Sequence, residues 1–187
     1  MTAHHRLAVA LMIACSAFAA HATGSEPDPS FDCIRDMTAV RGFYVDNVQG
    51  NLEATLAVAN SPEGGVYPPG SVVQLVPTEA MVKRAPGFNP ATKDWEFFEL
   101  DVAPDGTQIR GRGFADVVNR FGGNCFACHV KARPEWDMIC EQNHGCDPIP
   151  LTPVMTRAIQ KTDPRCAPVT LTEEEQTALE ALSAASG

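Results

Sequence analysis

Trp95-Glu96-Phe97-Phe98-Glu99-Leu100-Asp101-Val102, then Pro104-Asp105-Gly106, then Thr107-Gln108-Ile109-Arg110-Gly111-Arg112 is the stretch that decides the fold. The first eight residues are rich in aromatic side chains, and Pro-Asp-Gly is turn chemistry, so the pattern predicts an antiparallel hairpin. Side chains alternate along an extended strand, which puts Trp95, Phe97 and Glu99 on one face and Glu96, Phe98 and Leu100 on the other. One of these faces has to look inward. By the same rule Arg110 and Arg112 share a face of the second strand, where they either pair with a carboxylate or stay exposed.

Outward from the hairpin, further strands are expected at Gly42 to Val48 and Ser71 to Val76, with a short helix over Leu52 to Asn60. Clusters of Pro and Gly, such as Ser61-Pro62-Glu63-Gly64-Gly65 and Tyr67-Pro68-Pro69-Gly70, punctuate the middle of the chain and exclude a long-helix bundle there. Thr172-Glu173-Glu174-Glu175 is a capping-box signature that predicts a helix running to about Leu182. Neither an internal repeat nor an inter-domain linker is visible. The expected fold class is α+β, mainly an antiparallel β-sheet with a few short helices. A disordered leader (23–32) precedes a single domain (33–187).

The first residues read as an export signal. Arg6 precedes an apolar run from Leu7 to Ala20, too short to span a bilayer comfortably, with small residues following. Residues 1–22 are therefore expected to be a signal peptide cleaved after Ala22, with cleavage after Ala19 as the alternative. Cys15, preceded by Ala14, offers a lipidation reading, but the apolar run continues past it. No second run is long enough for a membrane span. Without residues 1–22 the chain has 13 basic and 23 acidic residues, a formal net charge of −10, which argues against nucleic acid and anionic membranes as partners. The expected location is the periplasm.

Cys125-Phe126-Ala127-Cys128-His129 carries the chemistry. This C-x-x-C-H pattern is that of c-type haem attachment. Two thiols three positions apart lie on one side of a helical turn, where both can add to the vinyl groups of one haem. The adjoining imidazole then stands beneath the iron as its axial ligand. Gly122-Gly123-Asn124 precedes the motif, with Asn124 as a candidate N-cap. A redox dithiol would want a strand–helix context, and a four-thiolate zinc site would want another close cysteine pair. The cofactor expected is one covalent haem c with its iron. Cys33, Cys140, Cys146 and Cys166 remain, an even number that suits an oxidising compartment. Of the three pairings they allow, the reading adopted is Cys140–Cys146 and Cys33–Cys166, although spacing alone leaves all three open.

No residue has a clear claim to the iron's sixth position. His144 is the other histidine beyond residue 22, and inside a Cys140–Cys146 loop it is expected to be a solvated tip. Met138, in the alternating run Trp136-Asp137-Met138-Ile139, reads as a core residue, and Met155 follows Pro153.

The haem motif lies late, behind a sheet-like region. Together Tyr67-Pro68-Pro69-Gly70-Ser71-Val72-Val73, Asp94-Trp95-Glu96-Phe97-Phe98, the C-x-x-C-H motif and Trp136-Asp137-Met138-Ile139 resemble the cytochrome P-460 family, which includes the beta-type cytochromes c′. The resemblance covers roughly residues 65 to 140. It implies an antiparallel β-fold, often a homodimer, with one five-coordinate haem open on its distal side. Members with a polar distal pocket oxidise hydroxylamine or process nitric oxide, exchanging electrons with a redox partner protein, whereas members with a Phe-lined pocket bind gases without clear turnover. Glu96 and Glu99 are the candidate proton-handling residues, with a surface role as the alternative. Family members with a Lys–haem cross-link supply it from the sheet before the motif. Here Ser71 to Val76 has no Lys, which leaves Lys83, and after it Lys93, as cross-link candidates or as solvated residues. The competing function is a six-coordinate electron-transfer cytochrome.

Overall fold

The computed structural model describes residues 29–119, 122–141 and 143–185; the expected signal peptide lies outside them. Six strands form one antiparallel sheet in chain order: β1 (Thr38–Val40), β2 (Phe43–Asn47), β3 (Ser71–Gln74), β4 (Glu79–Lys83), β5 (Trp95–Ala103) and β6 (Gly106–Gly113). Helix α1 (Leu52–Ala59) joins β2 to β3, α2 (Cys125–His129) carries the C-x-x-C-H motif, and α3 (Pro153–Lys161) and α4 (Glu173–Ala185) follow. The fold is α+β and mainly antiparallel β, as the hairpin reading implies. Among the described residues no helix is long and apolar enough to cross a membrane.

Both faces of the sheet are covered, so all six residues from Trp95 to Leu100 are buried. Phe43, Val45, Val73, Met81, Trp95 and Phe97 point to one face, where they pack with Val117, Met138, Ile139 and the partly buried Leu56, Cys125 and Phe126. Val72, Ala80, Val82, Phe98 and Leu100 point to the other face and pack with Phe31. The C-x-x-C-H motif therefore belongs to the first face. Phe31, which the sequence reading places in a disordered leader, is 5 % exposed, with its ring 5.0 Å from that of Phe98. Burial of a large aromatic side chain outweighs the local Pro-rich composition that suggested disorder.

β4 and α3 were not expected. Glu79-Ala80-Met81-Val82-Lys83 is built mostly of helix-forming residues, yet it is held extended by pairing with β3 and β5. The signal for α3 was present: Thr152 caps the helix by accepting from Met155 N–H, and Pro153 fills the first turn. The capping box at α4 forms as expected, with Thr172 N–H donating to Glu175 and Glu175 N–H donating to Thr172 Oγ1.

Two bridges close the chain as expected, Cys33–Cys166 and Cys140–Cys146. Beside the first, Asp163 accepts from Ile34 N–H (2.9 Å) and from both Nε (2.8 Å) and Nη2 (2.7 Å) of Arg165. Arg165 in turn donates to Phe31 O, Thr107 Oγ1 and Pro77 O, so one guanidinium ties the N-terminal segment, β6 and the β3–β4 turn together. Burial alone would raise the Asp163 carboxyl pKa, but the Arg165 guanidinium and the two main-chain N–H donors outweigh it and hold the pKa below the usual range. A depressed carboxyl stabilises the fold above its unfolded pKa of about 3.9 and loses that contribution as pH falls through the folded value. Urea unfolding from pH 7 down to pH 2 is expected to show stability falling below about pH 4, with a shallower acid limb in Asp163→Asn.

Candidate haem site

The segment leading into α2 is shaped by Asn124. Its side chain accepts from Ala127 N–H (2.8 Å) as the helix N-cap and donates to Ala115 O (2.7 Å), so one amide starts the helix and fastens it to the chain after β6. Asn124 also bridges to Val118 in antiparallel fashion. Cys125, Cys128 and His129 thus project from one short helix lying on the Phe97 side of the sheet. Phe126 stands 6.4 Å from Phe97 and 6.1 Å from Phe114, and the His129 ring is 5.3 Å from Phe97.

His129 is held from behind. Its Nδ1 lies 2.7 Å from Met138 O. A carbonyl can only accept, so Nδ1 carries the proton and the lone pair is on Nε2. Burial pushes the imidazole pKa down, partly offset by the Met138 carbonyl, which favours the neutral ring that binds metals. Cys125 and Cys128 are free thiols, whereas the other four described cysteines are paired. Burial, with the Glu79 and Glu99 carboxylates nearby, pushes the Cys125 thiol up to about 12, and burial raises Cys128 as well. A redox dithiol needs the opposite shift, toward the thiolate. Among the described residues, no group of three or more metal-ligating side chains gathers as a zinc site would require.

Compared with protein-family models, curated proteins and solved structures, the chain matches none.

The donor set fits a haem c: two neighbouring thiols and an imidazole whose free nitrogen is set by its hydrogen bond. The surroundings fit as well. Val118 and Val130, on either side of the motif, and Phe114, just after β6, are large apolar residues left exposed (44, 49 and 39 %). On β6 the positions opposite Phe97 and Glu99 are Gly113 and Gly111. A Cβ at Gly113 would meet nothing within 4 Å, so there is open space at this end of β6, whereas one at Gly111 would touch Glu99 Cβ (3.8 Å).

The two candidate carboxylates separate. Both are buried, which excludes the surface alternative. Glu96 lies on the face away from the motif, where its oxygens accept from Arg84 Nε (2.7 Å) and from Arg112 Nε (2.7 Å) and Nη2 (2.9 Å). Those bonds saturate it and make it structural. Glu99 lies on the motif's face, directly across from Glu79. One of its oxygens accepts from Arg110, and the other is buried with no partner. An orphaned buried carboxylate oxygen is costly and points to a ligand or proton to be handled.

Arg110 and Arg112 do not share a face, contrary to simple alternation. The pairing slips between Glu99 and Leu100: Gly111 opposes Glu99, and Ile109 opposes Leu100. Arg110 is the extra residue of this bulge, so it reaches Glu99 while Arg112 reaches Glu96.

Lys83 is not solvated. It is buried on β4 beside Trp95, its Nζ 2.7 Å from Asp137 Oδ2, and a bond to a haem ring would require breaking that pair. Lys93 donates to Pro134 O. His144 is not a solvated tip either. It is 8 % exposed, stacks on Trp136 with ring centroids 3.8 Å apart, and binds Ile139 O through Nδ1. Met138 is buried, and its main chain lies behind the His129 ring, on the side away from Nε2. Met155 stands on α3, whose Gln160 donates to Gly42 O and Leu75 O. Sequence reasoning missed Asp137. Its role depends on contacts 42 to 70 positions away in the chain, which no local motif signals.

Proposed function

We propose that this chain is an exported mono-haem c-type cytochrome that binds, or processes by redox chemistry, small nitrogen ligands such as nitric oxide and hydroxylamine. Cys125 and Cys128 would hold the haem through thioethers, and His129 Nε2 would hold its iron. The observation that carries the reading is the Met138 carbonyl on His129 Nδ1, which leaves Nε2 as the coordinating nitrogen. When bound, the haem supplies an open coordination position and one-electron chemistry, tuned by its protein surroundings.

The chain's own residues contribute three things. Phe97, Phe114 and Phe126 give the motif's side an apolar lining, of which Phe97 is fully buried. Glu99, held by Arg110 and with one oxygen free, is placed to accept or give a proton. Gly111, opposite Glu99, and Gly113, with open space around it, add no side chain of their own there. The six-coordinate electron-carrier reading is the weaker one, because the Met138 main chain lies behind the proximal ring and His144 is stacked on Trp136. Two disulfides support an oxidising compartment, the periplasm. Turnover as a hydroxylamine or nitric oxide oxidoreductase would need a redox partner protein to take or supply electrons, and a homodimer would cover the apolar residues still exposed near the motif.

The test is the optical spectrum of the dithionite-reduced protein before and after adding carbon monoxide or nitric oxide. A broad high-spin Soret band that shifts with gas is the expected result. A sharp low-spin spectrum indifferent to gas would transfer the assignment to the electron carrier.

A further inference from the structure

Lys83 and Asp137 form an ion pair with only 6 % and 2 % of their side chains exposed. Taking two charges out of water is costly, and a well-packed apolar pair is often at least as stable. What the pair achieves is visible in what Asp137 holds. Its Oδ2 accepts from Tyr67 N–H (2.9 Å), and its main-chain oxygen accepts from Trp95 Nε1–H (2.7 Å). Lys83 Nζ spans both Asp137 oxygens, at 2.7 and 3.0 Å, and also donates to Lys93 O (2.7 Å).

These bonds converge on an unusual piece of backbone. Asp137 and Met138 both lie in the left-handed region, with φ of 47° and 68°. Such conformations are disfavoured for residues with a Cβ and persist where the surroundings over-determine them. The corner they make turns the Met138 carbonyl onto His129 Nδ1, 2.7 Å away.

We propose that Lys83 and Asp137 are positioning residues for the His129 imidazole: their buried ion pair locks the Asp137–Met138 corner that aims the Met138 carbonyl at Nδ1. This rests on the haem reading above. A firmly held acceptor on Nδ1 fixes ring rotation and tautomer and raises the donor strength of Nε2 toward iron. It also assigns the Lys83 amine to Asp137 rather than to a bond with the haem ring.

The test uses the full exported protein with haem attached, as wild type, Lys83→Met, Asp137→Asn, Trp95→Phe and, as control, Glu96→Gln. In the ferrous ligand-free state, Lys83→Met and Asp137→Asn are expected to move the iron–imidazole stretch to lower wavenumber in resonance Raman spectra. At a fixed potential the ferric/ferrous ratio should move toward ferrous by about tenfold, the low end of what losing an outer-shell partner does to metal affinity or activity. Trp95→Phe keeps both charges and should move both signals the same way by less, and it decides the matter if the charge variants do not accumulate folded. Glu96→Gln, which breaks a comparable buried pair on the opposite face, should lower the melting temperature and move neither signal. Folded variants with an unmoved stretch and ratio would overturn the positioning role alone, as would a proteolytic fragment in which Lys83 is bonded to haem. A protein purified without covalent haem would overturn the haem reading and this proposal together.

Discussion

Replacing Cys125 and Cys128 together by serine is expected to abolish covalent haem in the exported chain. Haem staining after denaturing electrophoresis should go from full to none, because serine hydroxyls do not form the thioethers that thiols form with vinyl groups. The other four described cysteines cannot substitute, being committed to disulfides. The partner experiment separates attachment from ligation. His129→Gly keeps both thiols, so covalent haem should persist while the iron loses its protein nitrogen. Added imidazole should then restore the wild-type ferrous spectrum, entering behind α2 where Met138 O waits for an N–H. Covalent haem surviving in the double serine variant would remove the assignment of these residues. A ferrous spectrum unchanged in His129→Gly would remove His129 as the ligand.

The largest effect on stability is expected from the Cys33–Cys166 bridge, which joins residues 133 positions apart. In the chain-entropy picture a loop of this length stabilises by about 5 kcal/mol, against about 2 kcal/mol for the six-residue separation of Cys140–Cys146. The bridge stands beside the Asp163–Arg165 network, which also holds this segment through Ile34 N–H and Phe31 O. Cys33→Ser/Cys166→Ser is expected to lower the melting temperature by roughly 10–20 °C. Cys140→Ser/Cys146→Ser should lower it by less than half as much. Equal losses from both pairs would show that local packing, and not loop closure, sets the contribution of each bridge.

Much of this was readable along the chain because its causes are local. The Pro104-Asp105-Gly106 turn, the Thr172–Glu175 capping box, the Asn124 cap and the C-x-x-C-H spacing each act within a few residues, and each appears where it was expected. What the chain order could not reveal depends on partners far apart. The alternation rule put Glu99 with Phe97 and Glu96 with Phe98, but which face carries the motif depends on how α2 docks. The Arg110 bulge then sends two arginines that looked equivalent to opposite faces.

The sequence by itself determined the antiparallel sheet and the C-x-x-C-H spacing late in the chain, because side-chain period, turn chemistry and thiol spacing are short-range properties. Only the tertiary structure decided that Lys83 and Asp137 meet, 54 positions apart, behind the His129 ring. It also decided that Glu99 and not Glu96 keeps an unpaired oxygen on the motif's side. Pairing of buried charges depends on which groups the packed fold deprives of water, and that is settled by the whole chain at once.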